Sequence, residues 1–269
     1  MTALDKKEEK LRRIVRSLKS AAVAFSGGAD STLVAKIARD ELGENAIAVT
    51  IDSPLYPGHE LSSATEMARK IGIEHVVVSV DPLMDRAFVN NPANRCYLCK
   101  LDDLTHIKRI AEEHGLKEVA DGSNLDDSGD YRPGMQAKQE LRIRSPLAEA
   151  NIGKEDVRAI SKKLKLPTAS KPSSPCLASR IPYGEKITQE KLRMIEEAEE
   201  FLIAKGFESV RVRMHGNIAR IEVPPNEIPR LSSPGTRLSI TRKLRSLGFT
   251  YIALDLEGYR MGSLNEVLR

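Results

Sequence analysis

The 269 residues suit one large domain or two modest ones and are ample to bury an apolar core. With 41% hydrophobic and 30% charged residues the composition is globular rather than disordered, and no apolar run approaches the roughly 18 residues that span a bilayer, which excludes a membrane-spanning protein. A net charge of +4, from 42 basic and 38 acidic residues, is too diffuse to mark a nucleic-acid face; with 4% aromatic residues and no tryptophan, a small phosphorylated substrate is favoured over nucleic acid.

The opening MTALDKKEEKLRRIVRSLKS lacks the uninterrupted apolar core of a secretory signal. Leu4, Leu11, Ile14, Val15 and Leu18 recur at helical spacing instead, so a surface helix is expected to open a cytoplasmic enzyme. From Ala21 onward short apolar runs alternate with helical patterns. Strands are predicted at 21–25, 46–51, 75–80 and 118–121, and helices at 31–42, 59–71, 100–114 and 154–165. That alternation predicts the α/β class, a doubly wound parallel sheet covered on both faces. Ligands of such sheets lie beyond the carboxyl ends of the strands, so the loops after Phe25, Ile51 and Asp121 are expected to share one crevice.

Between Leu166 and Gly184 the text PTASKPSSPCLASRIPYG reads as a linker or active-site loop, rich in proline and small residues. Beyond it the sequence predicts a charged amphipathic helix at 188–204, strands at 208–213 and 217–223 around MHGN, a helix at 235–247 and a last strand at 250–256. The expected division is a nucleotide domain over 1–166, a cysteine-bearing linker over 167–184 and a smaller α+β domain over 185–269 that serves substrate or oligomer contacts.

The most informative motif is Ser26-Gly27-Gly28-Ala29-Asp30-Ser31, directly after a predicted strand and directly before a helix. Two glycines let the main chain approach an anion, successive N–H groups can form a nest, and the helix amino terminus adds partial positive charge. The loop carries no lysine of the Walker kind, which disfavours transfer of a terminal phosphate. An SGG tripeptide alone is equally a tight turn. The full hexapeptide resembles the PP-loop pattern SGGxDS of ATP pyrophosphatases, which implies ATP as substrate and an adenylated intermediate. On that resemblance Ser26, Gly27, Gly28 and Ser31 cradle the phosphates, and Asp30 orients pyrophosphate and Mg²⁺, a hard cation that prefers oxygen ligands. Thr50 to Ser53, Asp52 among them, would face the adenosine. The segment Asp121-Gly122-Ser123-Asn124-Leu125-Asp126-Asp127 resembles the second nucleotide segment of the superfamily, with Gly122 and Ser123 toward AMP and Asp126 or Asp127 toward the metal. By itself such text is a capped turn.

Three cysteines cannot complete a disulfide set. Cys96 and Cys99, in NRCYLCK, can offer two thiolates to one centre, and Cys176 lies far off in the linker. Three thiolates suit a [4Fe–4S] cluster with one iron open, since structural zinc wants a fourth protein ligand; buried structural thiols and a CxxC redox pair are the competing readings.

The motifs SGGADS, RCYLCK, DGSNLDD followed by YRPGMQA, LRIRSPLAEA, PCLASRIPYG, VRVRMHG with ARIEV, and LDLEGYRMGSLNEVL together resemble the LarE sulfurtransferases over nearly the whole chain. That resemblance implies ATP-dependent adenylation of a carboxylate of pyridinium-3,5-biscarboxylic acid mononucleotide, followed by thiocarboxylate formation for the nickel-pincer nucleotide cofactor. Cys176 occupies the position of the family's nucleophilic cysteine. Single-cysteine members surrender that sulfur and are left with dehydroalanine, whereas members with the CxxC as well are implied to hold a [4Fe–4S] cluster on Cys96, Cys99 and Cys176 that carries exogenous sulfide. The resemblance further implies a homo-oligomer, with a sulfur donor as partner.

Arg211 and Arg213, two apart on a predicted strand, are expected on one face, where they are either solvated strand charge or a grip on the substrate's phosphate; the resemblance in VRVRMHG favours the grip, with Ser179 and Arg180 beside Cys176 as further substrate contacts. Glu199 and Glu222 could add metal contacts, but the default for a glutamate on a charged helix or strand is solvent. A mobile linker is expected to bring Cys176 to the crevice. The rival readings are a PP-loop, iron–sulfur tRNA thiolase and a non-catalytic nucleotide sensor.

Overall fold

The computed structural model describes residues 2–129, 134–171, 175–260 and 262–268. Tyr131, Arg132 and Pro133 of the YRPGMQA motif, Met261 of the last motif, and 172–174 of the expected linker lie outside them. In chain order come α1 (Ala3–Leu18), β1 (Ala21–Ala24), α2 (Ala29–Leu42), β2 (Ala46–Asp52), α3 (Gly58–Ile71) and β3 (Glu74–Ser79). A single turn α4 (Arg86–Val89) precedes α5 (Arg95–Glu113), β4 (Glu118–Ala120), α6 (Gly134–Glu140), α7 (Pro146–Glu149) and α8 (Lys154–Lys163). Then follow α9 (Gln189–Ala204), β5 (Arg211–His215), β6 (Ile218–Glu222), α10 (Ile228–Ser232), α11 (Pro234–Ser246) and β7 (Tyr251–Leu254). No described helix is long and apolar enough to cross a membrane.

The chain divides into two units. The first comprises 1–53, 58–81 and 94–174, the second 54–57, 82–93 and 175–269. The expected linker 167–184 is thus split between them at 174/175.

In the first unit four strands form a parallel sheet in the order β3-β2-β1-β4, with Val23 opposite Ala48 on one side and Ala120 on the other. Side chains alternate between the two faces as strand geometry requires. Ala21, Val23, Ala46 and Ala48 pack with α1, α2, α3 and α8, whereas Ala22, Ile47 and Val49 pack with Leu104, Ile107 and Ile110 of α5. Both faces being covered, the strands read as continuous apolar runs, which is why the α/β class is legible in the sequence. Thr2 caps α1 through a reciprocal box with Asp5, and Leu11, Val15 and Leu18 form its buried stripe. Because β2 and β4 flank β1 on opposite sides, the switch point of the sheet falls between β1 and β4, so the loops after those two strands border the natural ligand crevice.

The second unit has an antiparallel β5–β6 hairpin to which β7 adds in parallel, with α9 packed on β5. Ile195, Ala198 and Leu202 of α9 and Val212, Met214 and Ile221 of the sheet are buried. The strand expected at 208–213 in fact spans Arg211–His215. A two-residue loop, Gly216-Asn217, suffices to reverse the chain because Gly216 adopts φ +54°, so Met214 and His215 belong to the strand rather than the turn. Likewise α5 begins at Arg95 and not near 100, which sets the CxxC on a helix.

Candidate functional site

Each unit presents one constellation. In the first, β1 ends at Ala24, Phe25 bonds through its N–H to the Val49 carbonyl at 2.8 Å, and the chain turns through Gly27 into α2. Gly27 lies at φ +67°, and a Cβ there would stand 2.8 Å from the Ala64 Cα of α3, so both backbone conformation and space require glycine. The hydroxyls of Ser26 and Ser31 meet at 3.1 Å, and the Ser26 N–H donates to Ser31 Oγ at 3.2 Å, which closes the loop on itself. Gly28 stands at the N-cap of α2 with no side chain satisfying the first turn. Such a helix start presents N–H groups and partial positive charge to an anion.

The second segment of this unit meets the first directly. A Cβ on Gly122 would fall 2.7 Å from the Ser31 backbone nitrogen, so the close approach that this glycine permits is to the start of α2. Asn124 donates through Nδ2 to Asp30 at 2.9 Å and through its backbone N–H to the Asp127 carboxylate at 3.1 Å, which binds the two loops together. Burial, with the neighbouring Asp127 charge, pushes the Asp30 carboxyl above its usual range against the Asn124 hydrogen bond. Two mutually repelling carboxylates at the mouth of an anion-binding loop are a fitting oxygen donor set for Mg²⁺. Asp126 is engaged otherwise, accepting from the Lys154 N–H at 2.7 Å at the start of α8.

Behind these loops lies a network that the sequence did not disclose. Buried Lys138 donates to Ser123 Oγ at 2.7 Å and Ser145 Oγ at 3.2 Å and stands 3.2 Å from Asp121, while both hydroxyls donate to the Asp121 carboxylate at 2.7 Å. Burial opposes ionisation of Asp121, but Lys138 and the two hydroxyls outweigh it and hold the carboxyl below its ordinary range. Ser123 is therefore tied inward. Thr50 is likewise committed: its hydroxyl donates to the Phe25 carbonyl at 2.7 Å, so the 2.8 Å contact to His75 must be received from an Nε2–H, which fixes the tautomer of a ring packed edge-on against Phe25. Asp52 ends β2 exposed, its carbonyl accepting from Val80.

Cys96 and Cys99 lie near the start of α5, three residues apart and so on one face, with neither in a disulfide. The Cys99 thiol donates to Asp103 at 3.7 Å, a carboxyl that burial pushes up to about 6. Among the described residues no group of three or more His, Cys, Asp or Glu is arranged to hold a metal ion.

In the second unit the segment 175–180 is held by two buried arginines. Arg180, 2% exposed, makes a bidentate pair with Glu199 at 2.9 and 2.7 Å and donates to the Pro175 and Cys176 carbonyls at 2.7 and 3.0 Å and to Ser179 Oγ at 2.9 Å. Arg213 pairs bidentately with Glu222 at 3.0 Å and donates to the Ser179 carbonyl at 2.8 Å. Glu199 and Glu222 are therefore buried ion-pair partners, which corrects the expectation that they face solvent. Planar guanidinium forks matched to carboxylates are well suited to such desolvated positions. Half-buried Cys176 sits immediately before the turn that these pairs hold, with the Leu177 N–H on the Leu55 carbonyl at 2.7 Å.

Arg211 differs. It contacts the Val210 carbonyl at 2.6 Å, lies 5.2 Å from the Tyr259 ring centre and makes no ion pair among the described residues. Burial first, then the Arg180 charge, draws its guanidinium below the usual range. A half-buried cation in that state is stabilised by an arriving anion. Of the two arginines expected to act as a pair, Arg211 has this unspent charge, whereas Arg213 is neutralised by Glu222.

A family profile described as NAD synthase matches residues 4–103. An uncharacterized protein of Synechocystis is 46% identical over 98% of this chain and 99% of its own length. The pyridinium-3,5-bisthiocarboxylic acid mononucleotide synthase of Lactiplantibacillus plantarum is 39% identical over 100% of this chain and 97% of its own. A tRNA-specific 2-thiouridylase of Syntrophotalea carbinolica is 30% identical over a more limited part, 61% of this chain and 56% of that one. With identity carried from end to end to a synthase of that kind, and a phosphate loop built as the sequence requires, the chain belongs to the LarE family of PP-loop ATP pyrophosphatases.

Proposed function

We propose that this protein is an ATP-dependent sulfurtransferase that adenylates a carboxylate of pyridinium-3,5-biscarboxylic acid mononucleotide and converts it to a thiocarboxylate. The observation that carries the reading is the uncapped start of α2 in the Ser26–Ser31 loop, with the Asp30 and Asp127 carboxylates bridged by Asn124 beside it, within a chain aligned end to end with the synthase above. A substrate carboxylate oxygen attacks the α-phosphorus of ATP, the bond to the bridging oxygen breaks, and pyrophosphate leaves with the electron pair. The loop N–H groups bind the departing charge, and Asp30 with Asp127 would hold Mg²⁺, which supplies charge neutralisation at the phosphates. A sulfur nucleophile then attacks the acyl carbon, and AMP leaves as the C–O bond breaks.

Cys176 holds the position of the nucleophilic cysteine of single-cysteine relatives and, beside Cys96 and Cys99, would serve instead as a cluster ligand while exogenous sulfide attacks; the pinned carbonyls of Pro175 and Cys176 fix where its backbone stands. Arg211 would bind the substrate's phosphate; Ser179, Arg180 and Arg213 build the wall beside it. Cys96 and Cys99, three apart on α5, suit two ligands of one centre; the family resemblance implies Cys176 as the third, and a [4Fe–4S] cluster so held would supply a position for exogenous sulfide so that no protein sulfur is consumed.

The test is anaerobic turnover with ATP, Mg²⁺, sulfide and the biscarboxylate nucleotide, alongside iron quantification and protein mass. About four irons per chain and more than one thiocarboxylate per chain are expected. Cys176→Ala is expected to abolish sulfur transfer while pyrophosphate release persists, and Asp30→Asn to suppress that release. Loss of one sulfur from the protein with no iron bound would reject the cluster, and pyrophosphate release with tRNA but not with the nucleotide would replace the substrate.

A further inference from the structure

The phosphate loop contains no lysine, yet the fold delivers one. Lys171 follows the turn Pro167–Ser170, whose Thr168 and Ala169 are buried, and its N–H is fixed on the Thr168 carbonyl at 3.0 Å. From that anchored root the side chain reaches the phosphate loop, 144 residues away along the chain, with Nζ 2.7 Å from Glu60, 3.1 Å from Ser63 Oγ and 3.4 Å from the Gly27 carbonyl. Lysine and glutamate are only 20% and 15% exposed, so the charge acts through little water.

An ammonium group has three donors. Two are well placed on α3, and the third points at the loop across the longest of the three contacts, the outer limit of a hydrogen bond. Lys138 also has three partners, but Ser123, Ser145 and Asp121 all lie within 3.2 Å and none is so long a contact. Of these two lysines Lys171 therefore holds the contact more readily exchanged for an anion, on a flexible four-carbon stem that can shift by an ångström or so without moving its root.

We propose that Lys171 is the cation of the phosphate loop: with ATP bound, its Nζ donates to the β- or γ-phosphate oxygens and neutralises the pyrophosphate as it leaves, while Glu60 holds the side chain beside Gly27 when the loop is empty. This rests on the adenylating reading above and assigns the group that the hexapeptide itself lacks. It makes Glu60 a competitor of the nucleotide for one ammonium group, so substitutions at the two positions act in opposite directions. A contact that only braces α3 against the loop would be weakened by either substitution.

The test measures binding of Mg²⁺-pyrophosphate, ATP and AMP by titration calorimetry, with the rate of pyrophosphate release, on the full chain. Lys171→Met is expected to weaken pyrophosphate and ATP binding on the order of 10- to 100-fold and to lower kcat for release, with AMP affinity within about twofold. Lys171→Arg should restore most of the loss, and Glu60→Gln should tighten pyrophosphate about 2- to 10-fold. The double variant Lys171→Met/Glu60→Gln, which leaves no unpaired carboxylate, should bind as weakly as Lys171→Met. Wild-type affinity in Lys171→Met, or equal weakening in Lys171→Met and Glu60→Gln, overturns the assignment of Lys171 alone. Absence of pyrophosphate and ATP binding by the wild-type protein overturns the adenylating reading with it.

Discussion

A glycine-to-alanine series separates what the phosphate loop owes to backbone conformation from what it owes to space. Gly115, which follows α5, lies at φ +66° with nothing within 4 Å of a Cβ; Gly122 has no positive φ but would place its Cβ 2.7 Å from Ser31 N; Gly27 suffers both constraints. An L-residue in the left-handed region costs about 1–2 kcal/mol, which is the whole expected loss for Gly115→Ala. Overpacking against backbone costs about 1–3 kcal/mol, because α2 or α3 must retreat by roughly half an ångström, and that is the expected loss for Gly122→Ala. Gly27→Ala combines the two, about 2–5 kcal/mol. Urea midpoints at constant m give the stabilities, and calorimetric titration with ATP gives the functional readout. Gly115→Ala should bind ATP normally, whereas Gly122→Ala should lose ATP affinity because the retreat opens the contact between the two nucleotide loops, and Gly27→Ala because it pushes the phosphate loop away from α3. If Gly122→Ala kept wild-type stability and affinity, or Gly115→Ala proved as damaging as Gly27→Ala, the account of the loop given above would be wrong.

Two other perturbations follow from the same structure. Glu199→Ala strands a buried arginine charge and should cost about 3–5 kcal/mol, or roughly 6–20 °C in Tm, with Arg180→Met/Glu199→Leu recovering part of it; a loss under about 1 kcal/mol, as for an exposed pair, would contradict the burial described. Burial lowers the His75 pKa in the folded state, so as pH falls below 6.5 the unfolded chain takes up that proton first; the contribution of His75 is full above that pH and is lost as pH falls through the folded value. His75→Gln should therefore flatten the fall in stability between pH 7 and 5 by a few tenths of a kcal/mol per pH unit for this half-buried ring, checked by Tm against pH; an unchanged slope would place the titration elsewhere.

The parallel sheet and its phosphate loop were legible because both write themselves locally: buried strands as apolar runs, the anion turn as two glycines between strand and helix. Lys138 and Lys171 left no such mark, since each becomes informative only when it meets residues remote in sequence. Glu199 did leave a mark. It stands on the buried stripe of α9 between Ile195 and Leu202, where an unpaired carboxylate would be costly, and that placement foretells a buried cationic partner. Glu222 is shared between Arg220, two residues earlier on β6, and Arg213 of the neighbouring strand, so only part of its charge balance had a local signal and the rest is set by strand pairing.

The second unit draws 54–57 and 82–93 from the amino-terminal half of the polypeptide. Asn91 shows what those visits contribute: its side-chain amide serves the carbonyls of Ile181, Pro182 and Glu185 while its own carbonyl receives the Gly184 N–H. A fragment starting at 175 would lack that brace, so the carboxyl-terminal part is not a detachable cassette. Recombination by simple end-to-end fusion could not exchange it, and during synthesis its early pieces must wait for the ribosome to deliver the remainder before they can close.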